Sequence, residues 1–178
     1  MKKIKSLMNF IFRNIFIHII NLITGLFPNS NFITKLRGIM IKPFLGKCGK
    51  NFRIATGVII LKPENIEVGD NVYIAHNVWI NAVGGLKIAN DAIISPNVVI
   101  DTSKHLFKNG KVTHKGMHAQ VSIGEGSWIA ANSVITDGVT IGDGVLIGAG
   151  SVVTHSTENN AMYVGMPAQK IKNIEKEN

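Results

Sequence analysis

The chain has 178 residues, enough for one sizeable domain plus a small extension, with 7% aromatic and 17% charged residues and abundant Gly and aliphatic side chains. Its 19 Lys and Arg against 11 Asp and Glu give a net charge of +8, which favours an anionic partner. The positive charges sit in the termini and one internal segment, with no aromatic platform or binding motif, which argues against nucleic acid. The single Cys48 excludes an internal disulfide, no Cys/His zinc spacing is present, and a reducing compartment is the simplest reading. Cys48 lies in Lys47-Cys48-Gly49-Lys50 beside no base in sequence, so it reads as a structural thiol.

Lys2, Lys3 and Lys5 precede an apolar stretch from Met8 to Phe27. No small-residue cleavage site follows, so the stretch is not read as a signal peptide. Asn9, Arg13, Asn14, His18 and Asn21 interrupt it, whereas a membrane span needs roughly 20 mostly apolar residues. At helical spacing Asn14, His18, Asn21 and Gly25 share one face, and Ile11, Ile15, Ile19, Leu22 and Leu26 line another. Two readings stand side by side: a helix lying on an anionic membrane, or a helix packed on its own domain or a neighbouring subunit. Pro28-Asn29-Ser30-Asn31 breaks this helix, and a second, shorter one is expected from Phe32 to Met40, ending before Pro43. Residues 1–46 are thus expected to be a helical extension and residues 47–178 the main domain.

From Cys48 onward the dominant signal is repetition. Ile123, Ile129, Ile135, Ile141, Ile147 and Val153 fall six residues apart, and Gly124, Ala130, Thr136, Gly142, Gly148 and Thr154 follow them. Four residues after the aliphatic position stand Ser127, Ser133, Val139, Val145 and Ser151. The pattern runs upstream through Val68, Ile74 and Ile80, resumes at Ile88 after two extra residues, and continues to Ile94 and Ile100; Ile54 and Ile60 are weaker early members. Helices repeat at 3.6 residues and strands at 2, so neither gives a strict six. Three hexads make one triangular coil, with the aliphatic residue pointing inward and small residues at tight corners. Asp137-Gly138 and Asp143-Gly144 suit corners that need left-handed backbone. The register is lost after Ile100 and returns only at Ile123, so about seventeen residues leave the coil, and a long excursion from a compact repeat is usually functional.

Three segments resemble the hexapeptide-repeat acyltransferase superfamily, nearest its galactoside, maltose and polysaccharide O-acetyltransferases. They are Ile94 to His105 (Ile-Ser-Pro-Asn-Val-Val-Ile-Asp-Thr-Ser-Lys-His), Trp128-Ile129-Ala130-Ala131 with the residues to Ile135, and Ile147 to Thr154 followed by Gly165-Met166-Pro167-Ala168. The resemblance implies a mainly β fold, a left-handed parallel β-helix, behind the N-terminal α-helical extension. It implies a homotrimer with sites between subunits and acetyl-CoA as co-substrate, with no metal expected; the lone Cys48 and the first helix add the expectation of a cytoplasmic protein, in peripheral contact with the membrane if that helix is interfacial. The resemblance also implies that the segment 103–120 is an active-site loop that reaches a neighbouring subunit.

His105, at the start of that loop, is the expected catalytic residue, since a neutral imidazole can take a proton from an attacking hydroxyl and pass it to a departing thiol. Asn81, Asp101 and Trp128 are the expected acceptor residues: Asn81 and Asp101 suit coil corners equally well, Asp101 has orientation of His105 as a further reading, and Trp128 resembles a family Trp beside the active-site groove, with a hydrophobic cap as its alternative. The resemblance assigns Ala131, Ala149 and Thr154 to the coenzyme groove, where small residues let a pantetheine arm approach, and Lys170 and Lys172 to coenzyme phosphates. His155 and Gln169 depart from the family pattern, where basic residues are common. The expected activity is acetyl transfer from acetyl-CoA to a sugar hydroxyl of a surface polysaccharide, its lipid-linked precursor or a small glycoside. Two other classes are weighed against it: a metal-dependent carbonic-anhydrase-like enzyme using His105, His114 and His118, and a non-catalytic membrane-docked scaffold.

Overall fold

A computed structural model of the chain describes residues 2–174. Helix α1 spans Lys2–Gly25 and α2 spans Asn31–Ile41. Between them the Pro28 break leads into Ser30, whose hydroxyl accepts the Ile33 amide at 3.3 Å and caps α2. A short 3-10 turn over Lys42–Phe44 carries Pro43 and ends the helical region.

α1 packs on the protein by the side that carries Ile17, Ile20, Asn21 and Thr24, and His18 is exposed. Ile17, Ile20 and Thr24 are buried, the Asn21 side chain donates to Val58 O at 3.0 Å, and Gly25 lies against Thr56. The Ile15, Ile19, Leu22 and Leu26 side faces outward. The packing face combines two core isoleucines with a backbone acceptor for Asn21 and a close approach at Gly25.

The rest of the chain winds through three parallel sheets of a β-helix. The first contains Lys47–Cys48, Ile66–Val68, Leu86–Ile88, Val121–Ile123 and Thr140–Ile141. The second begins with Arg53–Ile54, Tyr73–Ile74, Ile93–Ile94, Trp128–Ile129 and Leu146–Ile147. It ends in a hairpin of Ala161–Val164 with Gln169–Asn173. The third contains Ile59–Leu61, Trp79–Asn81, Val99–Asp101, Val134–Ile135 and Val152–Val153. Ile54, Ile74, Ile94, Ile129 and Ile147 stack inward in one column, and Ile60, Ile80, Ile100, Ile135 and Val153 in another, all buried.

Register explains the irregular steps in the repeat. Early coils advance twenty residues, as in Arg53 opposite Tyr73 and Tyr73 opposite Ile93. Later coils advance eighteen, as in Trp128 opposite Leu146. The two extra residues fall at one corner, occupied by the turn Pro63–Asn65 in one coil and by the segment before Leu86 in the next. The later corner is the tight Asp137-Gly138, with Gly138 at φ +77°. Asn71, Asn97 and Asn132 also sit in the left-handed region, and their amides bond along the axis: Asn71 to Asp91 at 2.9 Å and Asn97 to Asn132 at 3.2 Å. A Cβ on Gly124 would lie 2.4 Å from the Gly142 carbonyl carbon, which is why the residue after Ile123 has none.

Candidate active site

Across the interruption Leu86 pairs with Val121, a step of 35 residues. The excess forms an antiparallel arm, Ser103–Lys108 paired with Lys111–His118. The expected loop is therefore an ordered hairpin. Its turn is Asn109-Gly110, with φ of +53° and +73°, a pair that matches the twist of a two-residue hairpin. The reading from sequence passed over this Asn-Gly step because lysines obscure the alternation on both sides. Lys104 Nζ bonds Asp137 Oδ2 at 3.0 Å and ties the arm's base to the next coil.

His105 is exposed, and its Nδ1 lies 3.1 Å from Thr113 O across the hairpin. A carbonyl only accepts, so this contact requires the proton on Nδ1. In the neutral ring Nε2 then carries the free lone pair, and it has no hydrogen-bond partner among the described residues. Thr113 also donates its hydroxyl to Leu106 O at 2.9 Å, which fixes the strand that holds the ring. The ring is thus oriented from within the arm, while the hydrogen bonds of Asp101 go to Asn81 and Ser103.

At the arm's root Asp101 Oδ1 accepts from Asn81 Nδ2 at 3.0 Å, Ser103 N at 3.0 Å and Ser103 Oγ at 2.9 Å. Asn81 Nδ2 also lies 3.0 Å from Ser103 Oγ. Asn81 and Asp101 are paired neighbours on the third sheet, and the Thr136 and Thr154 positions continue their column. Ser103 was not anticipated from sequence; its place two residues after Asp101, where short side chains bond the local backbone, was the available signal.

Trp128 is half exposed on the second sheet, and its Nε1 donates to Ser95 Oγ at 2.7 Å. Ala131 and Ala149 stand at successive levels of the corner that follows, where Gly150 N–H bonds Ala131 O at 2.9 Å. Thr154 Oγ1 lies 2.9 Å from His155 Nδ1. Lys170 bonds Glu158 Oε2 at 2.5 Å, and this hydrogen bond holds the ammonium above its usual range. Lys172, exposed on the same strand, is the unpaired cation of the two among the described residues.

The candidate residues fall into two groups. Asn81, Asp101, Ser103, His105 and Thr154 lie at or beyond the end of the third sheet. Trp128, Ala131, Ala149 and Lys172 lie on the second sheet and the corner after it. The strand Val134–Ile135 separates the two within one coil. A concavity along the first sheet, lined by residues including Lys47, Glu67, Lys87, Ser122 and Thr140, contains none of them. No three His, Cys, Asp or Glu side chains gather in a metal-holding cluster among the described residues. Burial raises the Cys48 thiol, Lys42 opposing and Asp70 adding, which disfavours its nucleophilic form.

Residues 120–155 match the bacterial transferase hexapeptide (six repeats) family model. The chain is 33% identical over 143 residues to the galactoside O-acetyltransferase of Escherichia coli (strain K12), covering 78% of this chain and 68% of that protein. The chain belongs to the hexapeptide-repeat acetyltransferase family. Among solved structures it superposes on a maltose O-acetyltransferase from Clostridium difficile 630 with a TM-score of 0.79 at 27% identity, over 94% of this chain and 89% of the other. A galactoside acetyltransferase in complex with coenzyme A gives a TM-score of 0.78 at 26% identity, over 92% of this chain and 81% of the other.

Proposed function

We propose that the protein transfers an acetyl group from acetyl-CoA to a sugar hydroxyl, with His105 as general base. The observation that carries this is the fixed ring: Nδ1 is committed to Thr113 O and Nε2 is left open, two residues along the arm from Ser103 of the Asn81–Asp101–Ser103 cluster. Nε2 takes the proton as the sugar oxygen attacks the thioester carbonyl carbon. The carbon–sulfur bond then breaks, and the imidazolium returns the proton to the thiolate, giving an acetyl ester and free thiol. Asn81, Asp101 and Trp128 contact the acceptor. Ala131, Ala149 and Thr154 line the pantetheine path, and Lys172 serves the coenzyme phosphates more directly than the already paired Lys170. The catalytic unit is residues 47–178, with 1–46 as its extension.

Separation of the two residue groups supports a homotrimer, in which the arm of one copy meets the Trp128 side of the next under closed symmetry. The reading extends to a cytoplasmic location and to peripheral contact with the membrane face, where lipid-linked glycans are presented as acceptors; a surface polysaccharide or its precursor is favoured over a small glycoside.

With labelled acetyl-CoA and a glycan panel, His105→Ala is expected to lower transfer by about 10²–10⁴-fold while coenzyme binding persists. Near-normal turnover refutes the assignment. Coenzyme binding lost together with turnover would place His105 in binding instead.

A further inference from the structure

The charge of this chain is segregated. Its first carboxylate is Glu64: residues 1–63 hold eleven Lys and Arg and no Asp or Glu, and the remaining residues hold eight against eleven. All of the positive excess therefore lies at the N-terminal end, and the rest of the β-helix is weakly acidic.

That end is also where apolar surface is exposed. α1 and α2 cover the first coil: Gly38 of α2 sits against Phe52, and Asn21 of α1 bonds Val58 O. Each helix buries one side only. On the other side of α1, Ile15, Ile19, Leu22 and Leu26 follow one another at spacings of four, three and four, with Leu26 81% exposed. On α2, Phe32, Leu36 and Ile39 do the same. The α1 stripe borders a groove whose far wall is Ile59 and Leu61, also exposed. Single exposed aliphatics are ordinary, but stripes of this extent mark a contact surface.

We infer that this end docks on an anionic lipid bilayer, with α1 and α2 lying in the headgroup layer and their apolar stripes turned toward the acyl chains. The inference deepens the peripheral contact proposed above and does not depend on the transferase reading. Charge selects lipid over a second copy of the chain. Two copies meeting through this end would bring like charge to like charge, and the nearest carboxylate, Glu64, is already within 4.0 Å of Lys62 and 3.8 Å of Arg13. Crossing the membrane is a different matter: no helix among the described residues is long and apolar enough to span it. An outward apolar stripe at an end of the chain that carries the positive excess describes helices that lie in the interface.

The test is flotation of the full-length protein with vesicles of phosphatidylcholine carrying about one third phosphatidylglycerol, against pure phosphatidylcholine vesicles. Binding is expected to the anionic vesicles, to weaken with salt, and to be slight on the neutral ones. Leu22→Glu with Leu26→Glu changes only outward positions, so the fold is kept, and binding should fall more than roughly tenfold. Lys35→Glu should lower it by roughly tenfold through charge alone. Equal binding to both vesicle types, no binding, or binding unchanged in both variants overturns the inference. So does a double variant that floats normally but sediments as a smaller oligomer, because the stripe is then a contact between copies. Transfer to a soluble acceptor is assayed in parallel and should persist in both variants, so failure of docking and failure of the transferase reading are separate results.

Discussion

Two excursions leave the β-helix, and they are held in opposite ways. The N-terminal helices are joined to the first coil by a fully buried guanidinium. Arg37 donates to Thr24 Oγ1 at 2.7 Å, Thr24 O at 2.9 Å, Ile54 O at 2.9 Å and Asn29 Oδ1 at 3.0 Å, and no carboxylate is among its partners. Burial lowers its proton affinity, yet an arginine starts high enough to remain a cation. Thr24 O belongs to the last turn of α1, where unpaired carbonyls present the negative end of the helix dipole. The arm is the reverse case. From Lys104 to His118 nearly every side chain is exposed, its own ladder supplies its order, and the ion pair of Lys104 with Asp137 is its charged link to the coil. The first excursion is part of the core; the second keeps its side chains available for another molecule.

Breaking the first attachment should have the largest effect on stability. Arg37→Ala leaves Ile54 O buried without a donor, removes the shorter of two donors from Thr24 O, and is expected to cost about 3 kcal/mol or more in chemical denaturation. Arg37→Lys should recover little, since an ammonium lacks the planar fork that reaches four acceptors. Coenzyme binding by the folded fraction should be unchanged, because the candidate coenzyme residues lie coils away.

Next in size is Gly38→Ala. The added Cβ would meet Phe52 O at 2.1 Å, a backbone atom that cannot swing aside, so α2 must lift from the first coil. The expected loss is about 1–3 kcal/mol, read as a lower thermal midpoint. A normal midpoint would show that the helix shifts without penalty and that Arg37 alone holds the cap.

These attachments were poorly legible in the sequence, and the reason is physical. The inward column is a one-dimensional signal: Ile129, Ile135 and Ile141 each face the same narrow interior, so spacing alone reveals them. Arg37 is indistinguishable from a surface arginine until Thr24 and Ile54, 13 and 17 residues away, are brought to it. Of the aliphatic residues of α1, Ile17 and Ile20 pack on the core beside the Asn21 bond to Val58 O while Ile15, Ile19, Leu22 and Leu26 point away, a choice made by the first coil that the helix meets. At the candidate site, His105, Asn81 and Asp101 could be singled out because family motifs and the lost register bracket them. The partners that fix them, Thr113 and Ser103, come from strand pairing and a local turn, which neither composition nor the six-residue period encodes.

The smallest expected stability effect sharpens the contrast. Lys104 is more than half exposed while its partner Asp137 is only 10% exposed, so the pair is screened on one side. Lys104→Ala should change unfolding free energy by about 0.2–1 kcal/mol, the range of an exposed ion pair. Its effect on transfer should be larger than that figure suggests. His105 follows immediately in the chain, and releasing the base of the arm widens the angles at which Nε2 meets an acceptor hydroxyl. Misplacement on the order of 1 Å is enough to lower a positioned reaction about 10²-fold. The expected signature is therefore a fall in kcat with little change in the coenzyme KM, and raised salt should reduce turnover in the wild type more than in the variant. Arg37→Ala should show the inverse: a large loss of stability with turnover per folded molecule preserved. If Lys104→Ala lowers stability as much as Arg37→Ala does, the arm belongs to the core after all, and the division between the two excursions fails.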